Sequence, residues 1–105
     1  MASITGPALL ARIDAGAAPA ILDVRTQSEF AAGHVPGAVH VPFWKVLTRP
    51  TAVPVPPTEP VVVYCGHGPR ARMAGAALER RGFRHVLYLD GHMSAWIAAG
   101  LPQAR

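Results

Sequence analysis

The 105-residue chain has a single cysteine, Cys65, inside the run Val61-Val62-Val63-Tyr64-Cys65-Gly66-His67-Gly68-Pro69-Arg70-Ala71. Val61 to Tyr64 is apolar and largely β-branched, which reads as a strand buried on both faces. From Arg70 or Ala71 the pattern "RARMAGAALERRG" reads as a helix. The four residues between Cys65 and Arg70 must therefore turn tightly, and Gly66 and Gly68 give them the freedom to do so. Such a strand–loop–helix aims backbone N–H groups at one point, beside the positive end of a helix. A thiol at that point is stabilised as thiolate by the N–H groups, the helix terminus and Arg70, so its pKa falls below the free value of about 8.5. Pro69 has no N–H and removes one donor from the cradle. The competing reading is an inert buried cysteine acting as a small hydrophobe. Gly-His-Gly-Pro-Arg is a poor composition for a packed core, and the reactive reading is preferred.

The other residues of the loop divide by role. Arg70 either binds an anion or braces the loop through backbone contacts, with anion binding favoured. His67 is either a protonatable partner of the sulfur or a solvent-exposed loop histidine. Arg72 reads as a solvated helix residue. Elsewhere, Asp23, Arg25, Glu29 and His34 read as scaffold, with Arg25 an outside candidate for the pocket. His92 and Trp44 follow strand ends and are candidates for the pocket rim, against the plainer readings of a surface histidine and a packed aromatic. The spacing of Asp23 and His34 does not fit a metal site, and neither metal nor cofactor is expected.

Composition bounds the rest. Half the residues are apolar and 15% are charged, as in a globular chain. The length predicts one domain spanning residues 1–105. A single cysteine allows no internal disulfide and no cysteine-rich zinc framework. The formal charge of +4 comes from nine Arg and one Lys, with five arginines between Arg70 and Arg84. No nucleic-acid motif or stacking platform accompanies them, so a small anionic partner is expected and nucleic acid is not. No apolar run reaches the roughly 18 residues of a membrane span, and the N-terminus does not read as a secretory signal. The expectation is a cytoplasmic protein with no membrane partner.

The elements that would position the loop follow the chain. Thr5 caps a short helix with Leu9, Leu10 and Ile13 on one face, ended by Gly16. Ala20 to Val24 is a strand, and Thr26 caps a brief helix stopped by Gly33. A Pro-Gly turn leads to a strand over Ala38 to Val41. From Phe43 to Pro60 the expectation is a Pro-rich surface connection, since Pro50, Pro54, Pro56, Pro57 and Pro60 disfavour helix and strand over its second half. After the cysteine loop, Met73, Ala74, Ala77 and Leu78 mark the buried face of a helix that Gly82 ends. His85 to Leu89 is a strand, Asp90 caps the last helix, and Met93, Trp96 and Ile97 form that helix's core face. Strands alternating with helices predict an α/β fold with a mostly parallel sheet, in which ligands sit beyond the carboxyl ends of the strands.

Three segments carry a family resemblance. "ILDVRTQSEFAAGHVPGAVHVP", "YCGHGPRA" and "LDGHMSAWIAAGLP" stand in the order of the motifs of rhodanese-like domains, and together they cover nearly the whole chain. The resemblance implies a central parallel five-stranded sheet flanked by helices on both faces. It also implies a sulfurtransferase in which Cys65 carries sulfur as a persulfide, cradled by Gly66, His67, Gly68, Pro69 and Arg70. Phosphatase and arsenate-reductase relatives have five residues between cysteine and arginine. The four here make a smaller ring, better suited to a terminal sulfur than to a phosphoryl group. Many rhodanese-like loops place arginine directly after the cysteine, where this chain has Gly66. The expected donor is thiosulfate or a low-molecular-weight persulfide, and the acceptor an external thiol or cyanide. The rival readings are a relay module exchanging sulfur with a partner protein, an acidic acceptor among them, and a regulatory binding domain, which the retained Cys65 argues against.

Overall fold

The computed structural model describes residues 2–105. Its elements run β1 (Ser3–Ile4), α1 (Gly6–Asp14), β2 (Ala20–Asp23), α2 (Gln27–Ala32), β3 (Val39–His40), α3 (Phe43–Thr48), a 3-10 turn (Pro50–Ala52), β4 (Val61–Tyr64), α4 (Pro69–Arg80), β5 (Val86–Leu89) and α5 (His92–Ala98). The strands form one sheet in the order β1-β5-β4-β2-β3, and every pairing is parallel. Helices cover both faces, as expected of a parallel sheet.

Strand pleat divides the core in two. Val61, Val63 and Cys65 turn to one face, where they join Leu22, Val24 and Tyr88 beneath Val46 of α3 and Ala71, Ala74 and Leu78 of α4. Val62 and Tyr64 turn to the other, against Leu9 of α1 and Met93 and Trp96 of α5. Leu9, Leu22, Leu78 and Trp96 are among the largest fully buried side chains, and each stabilises the fold by about 1.5–3 kcal/mol through burial. Because β4 is central and buried along its whole length, its carboxyl end fixes the base of the cysteine loop firmly.

Local chemistry sets the helix starts. The Thr5 hydroxyl accepts from the Ala8 N–H at the head of α1. Thr26 and Glu29 form a reciprocal capping box at the head of α2.

Several elements differ from expectation. The edge strand β1 was not foreseen: two residues are too short to show alternation, and the neighbouring strand supplies their order through Tyr88 N–H to Ala2 carbonyl and Asp90 N–H to Ile4 carbonyl. The connection from 43 to 60 begins with a helix, α3, in the proline-free stretch between Pro42 and Pro50. Its Val46 and the following Val53 are buried in the core, so this segment is part of the fold and not only a surface link. Met73 is exposed, because the α4 stripe runs through Ala71, Ala74, Gly75, Ala77 and Leu78 and leaves Met73 turned outward. Ile97 is exposed as well, since α5 meets the sheet through Met93 and Trp96. Asp90 caps nothing: the cap position of α5 is Gly91, and no side chain bonds there.

Candidate active site

Cys65 follows directly on β4, and α4 begins four residues later at Pro69. Gly68 makes this short path possible. Its φ of 134° lies where L side chains are strained, and the conformation turns its N–H onto the Cys65 Sγ at 3.0 Å. The loop is also held from behind. At the head of α5, the Met93 N–H donates to the Cys65 carbonyl at 3.0 Å and the Ser94 N–H to the Gly66 carbonyl at 3.2 Å.

His92 completes this contact. It was expected at the surface of the last helix, with a pocket-rim position as the alternative, but it is buried and its Nδ1 accepts the Cys65 N–H at 3.2 Å. It is also the one non-glycine residue at positive φ (54°) among the described residues. Backbone strain of this kind costs about 1 kcal/mol or more and persists where neighbouring structure holds it.

Electrostatics at the sulfur follow from this packing. Burial pushes the thiol up. Hydrogen bonding from His92, then from the backbone N–H groups of Ala71, Gly68 and His67, more than offsets it and brings the thiol down from 9.0 to about 7. The donors are preorganised by the strand end and the α4 terminus, so they favour charge on sulfur without rearrangement.

Arg70 does not reach into the loop with a free guanidinium. It pairs side by side with Glu29, Nη1 to Oε1 at 2.6 Å and Nη2 to Oε2 at 3.1 Å. The pairing holds the Glu29 carboxyl down at about 2. One bidentate bridge thus ties the first turn of α4 to the first turn of α2, across 41 positions of sequence. This side-chain pairing is a contact that neither expectation for Arg70, anion binding or bracing through backbone contacts, had included.

Cys65 itself is fully buried. Next to the loop opens a cavity of about 340 Å³, whose wall includes His67, Arg72, Tyr88, Asp90 and His92 but not Cys65. His92 is the shared partition, facing the Cys65 backbone on one side and the cavity on the other. The rhodanese-like domain family matches residues 6–99. The chain belongs to this family. A sulfurtransferase of Allochromatium vinosum is 37% identical over 82 residues, covering 78% of this chain and 75% of its own. The thiosulfate sulfurtransferase GlpE of Pseudomonas fluorescens is 37% identical over 76 residues, covering 72% of this chain and 68% of its own. Among solved structures, a rhodanese-related protein of Thermoplasma volcanium matches with a TM-score of 0.81 at 25% identity, over 99% of this chain and 98% of that one. The solution structure of an Anabaena rhodanese-like domain matches with a TM-score of 0.85 at 28% identity, over 99% of this chain and 79% of that one.

The rhodanese-like signature at the end of β2 is a buried charge network. Arg25 grips Asp23 with Nε at 3.1 Å and Nη2 at 2.8 Å, and Nη2 also donates to the Gly33 carbonyl at 2.7 Å. The Tyr64 hydroxyl donates to Asp23 Oδ2 at 2.6 Å and accepts the Val35 N–H at 3.1 Å. Burial, then the Asp23 charge, raises the Tyr64 pKa, so the phenol stays a donor. These contacts lock the strand adjoining β4 to the α2–β3 turn. Arg25 is consumed by them and does not line the cavity beside the loop. His34 stacks on Phe30 with ring centroids 3.7 Å apart, and its Nδ1 pairs with the Phe30 carbonyl. Trp44 stands exposed on α3, beside Lys45 and away from the cavity.

Three features escaped the sequence. The Glu29–Arg70 bridge joins residues too distant for any local pattern, although the Thr26–Glu29 box was visible. The Ala71 N–H helps to lower the Cys65 pKa because α4 starts at Pro69, earlier than expected. Arg72 is exposed, as its reading as a solvated residue expected, and it also borders the cavity beside Tyr88 and Asp90, which the sequence did not show. Among the described residues, no group of three or more His, Cys, Asp or Glu is placed to hold a metal ion, and no helix is long and apolar enough to cross a membrane.

Proposed function

We propose that this protein is a single-domain sulfurtransferase that moves sulfane sulfur from thiosulfate or a low-molecular-weight persulfide, through a Cys65 persulfide, to an external thiol or cyanide. The observation that carries the reading is the sulfur cradle: a single thiol at the end of β4 that accepts the Gly68 N–H at 3.0 Å, with His92 against its backbone and its pKa lowered to about 7. Similarity to two proteins named as sulfurtransferases, one of them for thiosulfate, supports the substrate class. The four-residue spacing from Cys65 to Arg70 supports sulfur over phosphoryl transfer.

In the first half-reaction the Cys65 thiolate attacks the outer sulfur of thiosulfate. The donor's S–S bond breaks, its electron pair leaves with sulfite, and Cys65 holds a persulfide anion. In the second, the acceptor attacks that outer sulfur, and the bond to Cys65 breaks to restore the thiolate. Each step exchanges one bond to sulfur for another, in ping-pong order. The N–H groups that favour the thiolate also favour the persulfide anion, whose charge sits about 2 Å further out.

Intact mass spectrometry after mixing reduced protein with thiosulfate tests this. The expected result is a gain of one sulfur atom, absent in Cys65→Ser and removed by cyanide with release of thiocyanate. Failure of both thiosulfate and glutathione persulfide to load Cys65 would overturn the reading.

A further inference from the structure

The cavity beside the loop is larger than a sulfur donor such as thiosulfate requires. At about 340 Å³ it has room for about eleven waters at about 30 Å³ each, whereas thiosulfate has only a few heavy atoms. Its wall is polar and carries both signs of charge. Arg72 projects from α4, Asp90 follows β5, His67 comes from the loop and Tyr88 from β5.

Arg72 and Asp90 are both exposed. The ion pairs among the described residues are Arg25–Asp23 and Arg70–Glu29, so Arg72 and Asp90 face one cavity without neutralising each other. The loop arginine, by contrast, is paired with Glu29. A cation and an anion held apart on one polar wall fit a ligand that carries both charges.

Building on the sulfurtransferase reading, we infer that this cavity binds the zwitterionic end of an amino-acid thiol, Arg72 taking the α-carboxylate and Asp90 the ammonium group. The class of acceptor is then a free α-amino acid or short peptide bearing a thiol. Its sulfur is directed past His92 and His67 toward Cys65. The transfer balances: the acceptor thiolate forms a bond to the outer sulfur, the Cys65 S–S bond breaks, and its electron pair returns to the Cys65 thiolate. Arg72 and Asp90 set specificity and take no part in bond making.

The experiment has two independent readouts. The first is single-turnover discharge of preloaded Cys65 persulfide by cysteine, 3-mercaptopropionate, cysteamine, 2-mercaptoethanol and cyanide. Wild type should prefer cysteine over the singly charged and neutral thiols. Arg72→Ala and Asp90→Asn should each lower the second-order rate constant for cysteine about tenfold, the loss expected for one charge-assisted contact, and so narrow the preference for cysteine over 2-mercaptoethanol by the same factor. Equal rates for cysteine and 2-mercaptoethanol in wild type would overturn the inference. The second readout needs no turnover: S-methylcysteine is titrated into Cys65→Ser and followed by amide chemical shifts. Shifts at residues 67, 72 and 90 that weaken about tenfold in the Arg72→Ala background support the subsite, and their absence refutes it. Binding of S-methylcysteine by a protein that never loads sulfur would sink the catalytic reading while leaving the subsite standing.

Discussion

His92 offers the sharpest test of how this fold activates its sulfur. Its imidazole is the foremost of the hydrogen-bonding contributions that bring Cys65 down to about 7 against the opposing effect of burial. At that value about half of the thiol is ionised at pH 7. Removing the ring, by His92→Gly or His92→Asn, leaves only the backbone donors, and the pKa climbs toward the free value of about 8.5. A rise of about one unit cuts the thiolate at pH 7 from about a half to about a tenth. Both replacements tolerate the left-handed backbone that His92 now occupies, and Asn keeps an acceptor near the Cys65 N–H. The assay is thiolate ultraviolet absorbance against pH, with the Cys65→Ser spectrum subtracted. The single cysteine makes the signal unambiguous, and the readout needs no reagent to reach a buried sulfur. An unchanged titration in both variants, with near-ultraviolet circular dichroism still native, would refute the role given to His92. A wild-type pKa at or above the free value would refute the whole account of the cradle.

Three further outcomes follow from the same geometry. Because Cys65 is depressed in the folded state, its ionised form adds stability that is fully present above the unfolded pKa of about 8.5 and lost as pH falls through about 7; the stability gap between wild type and Cys65→Ser should widen by about 2 kcal/mol from pH 6 to pH 9, and urea titrations at both values that show a constant gap would count against it. Tyr64→Phe deprives Asp23 of a donor and leaves the Val35 N–H unpaired in the core, at a cost of about 1–3 kcal/mol that thermal melts should show as a lowered Tm; a loss below about 0.5 kcal/mol, the scale of an ordinary surface change, would mean the network is dispensable. Gly75→Ala reverses the usual benefit of alanine in a helix, because its Cβ would collide with the Tyr88 ring and hydroxyl; a loss of about 1–3 kcal/mol is expected, partly recovered by adding Tyr88→Phe, and a stabilised single variant would contradict the close packing of α4 on β5.

The chemistry was legible in the chain wherever its cause was local. A β-branched run marks a buried strand through side-chain shape, Gly66 and Gly68 mark a turn through backbone freedom, and a helix must follow near Arg70 or Ala71. Together these place Cys65 at a focus of N–H groups before any fold is known, although the helix starts at Pro69, ahead of the expected Arg70 or Ala71. The strand–helix alternation likewise implied a parallel sheet, and the three family motifs supplied its five strands. Short elements with no periodicity of their own were not legible: β1 owes its existence to pairing with β5, and α3 to packing of Val46 on α4.

Tertiary structure alone decided what surrounds the sulfur. The partner of Arg70 is Glu29, 41 residues away in sequence and 2.6 Å away in space. Whether His92 was a surface residue depended on how α5 docks against the loop, which turned it onto the Cys65 backbone. Arg72 is solvated, as its helical position implied, but only the tertiary structure shows that β5 and the turn after it bring Tyr88 and Asp90 to the cavity it borders. Local sequence sets backbone conformation through sterics and hydrogen bonding over a few residues. Charge pairing and burial act through space, so the partners of each charged group were settled only when the sheet brought its strand ends together.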